Sequence, residues 1–184
     1  MAETSTTTKR QSRKTATSTT KVAKVEKTVD DVRLNDRVAI DNLCDWDICF
    51  ESLEAQRDIT ITAGIKNFKG LTVAEVDSQV KSGNVAFCGS DGMGNHAVIR
   101  IIDPVIREYI FQEPVDPLQI TEEAVKNLLA IEDRNQFLNE LSELVVTRTE
   151  KRMLCRIIER IGKDDIPSYR IAAIERLTGI KFEY

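Results

Sequence analysis

Residues 147–162, TRTEKRMLCRIIERIG, read as one complete helix with its own start, stop and two faces. Thr147 and Glu150 have the spacing of a capping box, in which each side chain accepts from the other residue's backbone N–H. Gly162 supplies the stop. Between them Leu154, Ile157, Ile158 and Ile161 recur at helical spacing, so this face must lie against a core. On the opposite face Arg148, Arg152, Arg156 and Arg160 recur every four residues and sweep through about 120°, with Lys151 near one edge.

The same grammar extends to either side. Thr121 can cap a helix carrying Val125, Leu128 and Leu129. Asp133 and Gln136 can box the next, with Phe137, Leu138, Leu141, Leu144 and Val145 as its apolar stripe. Ser168, after Pro167, starts a last one with Ile171, Ile174 and Leu177, closed by Gly179. Start and stop signals this consistent predict a C-terminal four-helix domain over residues 120–184. Upstream, Pro114 and Pro117 deny regular structure to residues 114–119, which read as a proline hinge.

Residues 29–113 change period. Cys44, Trp46, Ile48 and Phe50 share one parity and Asp45, Asp47 and Glu51 the other, the mark of a strand with one buried face. Ile59, Ile61, Ala63 and Ile65 repeat the pattern. Thr72 and Glu75 box a short helix, with Leu71 and Val76 as its hydrophobic staple and Gly83 as its terminator. Val85–Cys88 and His96–Ile102 read as two strands flanking the turn 89–95. The expected fold is α+β: a small β-rich domain, a partly open barrel-like sheet with one inserted helix, ahead of the helical domain.

Before both lies residues 1–28, rich in Thr, Ser, Lys and Arg and free of aromatic residues. Such a stretch buries too little apolar surface to offset the entropy of ordering, and a disordered basic arm is expected. Its cations are Lys9, Arg10, Arg13, Lys14, Lys21, Lys24 and Lys27, against two Glu, a net +5. Residues 29–113 carry −7, 114–146 carry −5 and 147–184 carry +3, within a total of −4. An acidic middle between basic ends is a pattern of binding arms.

The whole chain, 184 residues with 41% hydrophobic and 30% charged, suits a soluble globular protein. No apolar run reaches the roughly 18 residues of a membrane span, and no signal-peptide core opens the chain. Cys44, Cys49, Cys88 and Cys155 are scattered rather than paired, which predicts a reducing, cytoplasmic setting, or a particle assembled there.

Few motifs carry chemistry. Residues 89–94 are glycine-rich, but a strand is expected after them where a phosphate loop needs a helix. Met93 and His96 stand where a calcium loop needs an oxygen ligand and a glycine. Zinc has one histidine and no C-x-x-C pair to use. A nucleophilic device would have to employ His96, beside Asp91 and Asn95. Asp45 and Asp47 share a wet face where both would ionise, unlike carboxylates tuned for acid–base work. Trp46 and Phe50 could stack bases, but their parity partners need burial and the other face is acidic. No metal, cofactor or catalytic residue is expected, and the chain is read as a non-enzyme.

The Arg148–Arg160 ridge with Lys151 is the candidate partner-binding feature. Arg148, Lys151 and Arg152 in the first turn oppose the helix dipole, so something should offset them. A solvated face, an acidic protein surface (including the chain's own middle) and a phosphate backbone all fit, since guanidinium forks suit carboxylate and phosphate alike. The helices around 162–167 have helix-turn-helix order, with a turn longer than that motif's three or four residues; the second helix would expose Tyr169, Arg170 and Arg176. The expected function is a structural or assembly protein, a subunit or accessory component of a multi-protein particle such as a virion. Its partners would be other protein subunits in a homo- or hetero-oligomer. The alternative is a nucleic-acid-binding accessory or regulatory protein that uses the tail and the ridge.

Overall fold

The computed structural model describes residues 28–182. Lys9, Arg10, Arg13, Lys14, Lys21, Lys24 and Lys27 of the expected arm lie outside the described residues. The fold is α+β, but the strands do not form a barrel-like sheet. They make two small antiparallel sheets. In the first, β1 (Arg37–Asn42) runs between β4 (Phe68–Thr72) and β5 (Ile99–Ile101); in the second, β2 (Ile48–Ser52) pairs with β3 (Arg57–Ile61), Phe50 opposite Ile59.

Asn42 explains why the expected strand through Cys44–Phe50 breaks in two. Its side chain is buried at the end of β1. Its amide nitrogen donates toward the carbonyls of Trp46 (3.0 Å), Ile61 (3.2 Å) and Thr62 (3.1 Å). Its oxygen accepts from Cys44 N at 2.9 Å, and that local bond curls residues 43–47 into a turn. The alternation of burial survives, with Cys44 inward and Asp45 and Asp47 outward, but across a turn rather than along a strand.

Two helices also depart from the expected strand-rich pattern. Val85–Cys88 is a four-residue helix, α2, rather than a strand: Asn84 Oδ1 accepts from Ala86 N at 3.1 Å and starts it. Residues 89–95 are therefore a loop from helix to strand and not a hairpin turn. Pro104–Phe111 is a second longer helix in this half, α3, where only one inserted helix was expected; Asp103 caps it and Pro104 occupies its first turn. The inserted helix α1 (Val73–Lys81) does begin at Thr72, whose hydroxyl accepts from Glu75 N at 3.2 Å. The box is half made, however, because Glu75 points away from its own N-terminus. Its carboxylate accepts from Ser52 Oγ (2.5 Å), Leu53 N (3.2 Å), Glu54 N (3.1 Å) and Gln79 Nε2 (2.8 Å). A buried carboxylate thus closes the turn between β2 and β3.

Four helices follow residue 120: α4 (Glu122–Ala130), α5 (Arg134–Leu144), α6 (Arg148–Ile161) and α7 (Ser168–Thr178). Thr121, Asp133 and Thr147 cap the first three with their side-chain oxygens. Arg170 turns inward, its guanidinium donating to the carbonyls of Leu129 and of Ile131, and so covers the C-terminal end of α4. Tyr169 packs edge to face on Phe137. Two of the three residues expected on an exposed recognition helix are therefore half-buried.

Two apolar clusters hold the structure. One joins both sheets to α1, α2 and α3 around Ile40, Leu71 and Phe87. The other gathers α4–α7 around Phe137, Leu154 and Ile158, and it also takes in Cys44, with Leu43, Trp46 and Val98 against it. Ile48 borders both. The proline connector has no helix or strand, yet it is tied down. Asn95 Oδ1 accepts from Leu118 N (2.6 Å), His96 N donates to the Leu118 carbonyl (2.7 Å), and Gln119 Nε2 donates to Ala97 O (3.1 Å).

Candidate functional site

The arginine face of α6 meets the strand half of the chain. Met153, Leu154, Ile157 and Ile158 are buried, which turns Arg148, Arg152, Arg156 and Arg160 outward as the helical period requires. Arg152 lies over the Trp46 ring, 5.2 Å from its centroid, within cation–π range. Arg156 Nε stands 3.1 Å from Asp45 Oδ2 and its Nη1 3.2 Å from Glu159 Oε2. Arg160 Nη1 is 3.7 Å from Glu122 Oε2. The ridge is therefore spread over the chain's own acidic and aromatic groups along most of its length. Arg148 is exposed and Lys151 half-buried, and neither has an ion-pair partner among the described residues.

Beside the ridge a cleft of about 310 Å³ opens between α6, the end of β1 and the start of α4. Arg156 and Arg160 form one wall. Lys66 and Arg100 come from the strand half, and Asp41, Asp45 and Glu122 supply the acids. Asp45 and Glu122 already face ridge arginines, and Asp41 Oδ1 accepts from Asn67 N at 2.8 Å. The Lys126 ammonium, 2.6 Å away, is the main cause that holds the Glu122 carboxyl below its ordinary range; Arg160 and Lys66 add to it. Lys66 and Arg100 have no ion-pair partner among the described residues. Four cations thus face three engaged carboxylates in the cleft lining, and Arg forks have the geometry to pair with a carboxylate or phosphate.

At the other end of α6, Glu150 resolves the charge problem of its first turn. It is buried, and its Oε2 accepts from Val146 N (3.0 Å) and Thr147 N (2.8 Å) while Thr147 Oγ1 accepts from Glu150 N (3.2 Å). Its Oε1 lies 2.7 Å from His96 Nδ1. The carboxylate beside His96 is thus Glu150, and not Asp91, which accepts from Met93 N, Asn95 N and Asn95 Nδ2 within its own loop. Sequence reading missed this partner because nothing local links residues 96 and 150. One acid in the first turn among three cations, Arg148, Lys151 and Arg152, was the available signal.

His96 also borders a cleft of about 510 Å³ with Trp46, Ser90, Val98, Thr147 and Thr149. Gly89 lets the loop close there, since a Cβ on it would overlap the Asn95 carbonyl. Burial pushes the Cys44 thiol up to about 12, with Asp45 adding to it, so this thiol is no nucleophile. Among the described residues no three His, Cys, Asp or Glu side chains converge as a metal site requires. Nor is any of their helices long and apolar enough to cross a membrane. No family model matches the chain, and neither a curated protein nor a solved structure matches it.

Proposed function

We propose that this protein is a non-enzymatic assembly component of a multi-protein particle, and that the cleft beside the Arg156–Arg160 wall receives an acidic segment of another subunit. The observation that carries the reading is the pair Lys66 and Arg100, cations on the cleft wall that form no ion pair within 4.0 Å among the described residues, though Lys66 acts at longer range on Glu122. Arg156 and Arg160 can add to them by exchanging exposed internal contacts, worth little individually, for a partner's carboxylates. Residues 120–184 serve as the helical docking domain, and the basic arm gives a second point of attachment. Arg148 and Lys151, at the far end of the ridge, extend the same surface.

The test is light scattering after gel filtration of the full chain, alone and with its co-purifying proteins. The reading expects a complex that Arg100→Glu with Arg156→Glu disrupts while the monomer keeps its helical spectrum. Nucleic-acid binding through the net +5 arm is the second reading. It expects duplex affinity to fall with salt at a log–log slope of about −4 or steeper, and to vanish when the arm is removed. A monomer that ignores protein and binds duplex in this way would replace the first reading with the second.

A further inference from the structure

α5 and α7 leave a second groove, of about 620 Å³, that shares no residue with the arginine cleft. Its floor is apolar: Leu138, Leu141, Ala173 and Leu177. Leu138 is 39% exposed. Ala172 and Ala173 present little bulk on the α7 side, so another backbone can approach closely. Arg134 lies at one end, its guanidinium 5.8 Å from the Tyr169 ring centroid. Arg176 lies further along α7, seven positions past Tyr169, which is about 10 Å at the helical rise.

The groove carries two exposed arginines and no carboxylate among its described lining residues. Helical period places the nearby acids elsewhere. Glu140 and Glu143 fall more than about 100° from the Leu138 direction on α5, and Glu175 Oε1 accepts from Phe182 N at 2.8 Å. The geometry points to a docking groove for an amphipathic helix of a partner protein, with a leucine-type stripe for the floor and a carboxylate at each end, two turns apart. A ridge of side chains laid between two helices is the ordinary way a third helix packs. The arm of this chain does not suit the groove, because its net charge is +5. A second copy placed by a two-fold axis does not suit it either, since each groove would meet the other's arginines.

This inference goes beyond the arginine cleft and stands without it. The test is fluorescence anisotropy of the full chain with a labelled synthetic amphipathic helix bearing a leucine stripe and Glu at positions i and i+7. The same helix with Lys at those positions is the comparison. The acidic helix should bind, and the Lys helix at least tenfold more weakly. Arg134→Glu with Arg176→Glu should reverse that order, and Arg134→Gln with Arg176→Gln should flatten it, while Arg100→Glu with Arg156→Glu changes neither. Equal binding of the two helices overturns the proposal, as does binding lost in the cleft variant but kept in the groove variant. Self-association of the chain that Leu138→Glu removes would put a second copy in the groove instead, and likewise overturns it.

Discussion

His96 Nδ1 and Glu150 Oε1, 54 positions apart in sequence, stand 2.7 Å from each other and join the loop after α2 to the first turn of α6. One buried carboxylate thereby does two jobs: it completes a helix cap and anchors the strand half of the chain to the helical half. Glu150→Ala should leave two partly buried backbone donors and the imidazole without their acceptor, a loss of about 1–3 kcal/mol, the range for one unsatisfied buried donor. Glu150→Gln should lose less, because an amide oxygen still accepts from Val146 N or Thr147 N. Urea denaturation of the two variants checks the order.

Acid should weaken the fold through Glu75. Burial works to raise this carboxyl, but hydrogen bonds from Ser52, Gln79, Glu54 and Leu53 outweigh it and hold the value below the ordinary 4.5. A depressed folded value means that the stabilisation is present above about pH 4.5 and is lost as pH falls through the folded value. The gap in urea midpoint between the wild type and Glu75→Gln should therefore narrow below pH 4.5. A gap that stays constant down to pH 2 would show that the carboxylate's charge contributes nothing.

Thiol labelling should find one fast cysteine. Cys49 is exposed on β2, whereas Cys44, Cys88 and Cys155 are buried. Burial raises all three buried thiols above their ordinary value, partly offset for Cys155 by Thr178 and Arg156, and the thiolate is the reactive form. An aromatic disulfide reagent should release one equivalent quickly from the native chain, none quickly from Cys49→Ser, and the full complement in urea.

Trp46 is the chain's single tryptophan, and Arg152 covers its ring. Arg152→Ala should shift its emission while leaving the helical spectrum unchanged. By contrast Arg156 and Asp45 are an exposed pair, 61% and 32% by side chain. A double-mutant cycle on them should return only about 0.2–1 kcal/mol of coupling.

The helical half was legible because its signals are local. Thr121, Asp133 and Thr147 announce α4, α5 and α6, Gly162 and Gly179 follow the ends of α6 and α7, and the α6 stripe at Leu154 and Ile158 is buried as its spacing requires. The strand half was misread wherever one polar side chain overrode a period. Asn42 bends the chain inside an alternating run, and Asn84 starts a four-residue helix too short for any period to distinguish from a strand. Asp103 followed by Pro104 is a legible local start for α3, since an Asx cap and a first-turn proline need no distant partner. Of the candidate site, the outward placement of the arginines was readable from spacing. Their contacts with Trp46, Asp45 and Glu122 were not, because those residues come from loops or from another helix.

Cys44 Sγ lies 3.8 Å from Met153 Sδ, across 109 positions of sequence. On a ribosome adding about 5–20 residues per second, the segment around Cys44 and Trp46 waits on the order of 5–20 s for the helix that covers it. During that interval its apolar side is open to water, to chaperones and to other nascent chains. Slowing translation between residues 44 and 153 should therefore raise the insoluble fraction even though no amino acid has changed.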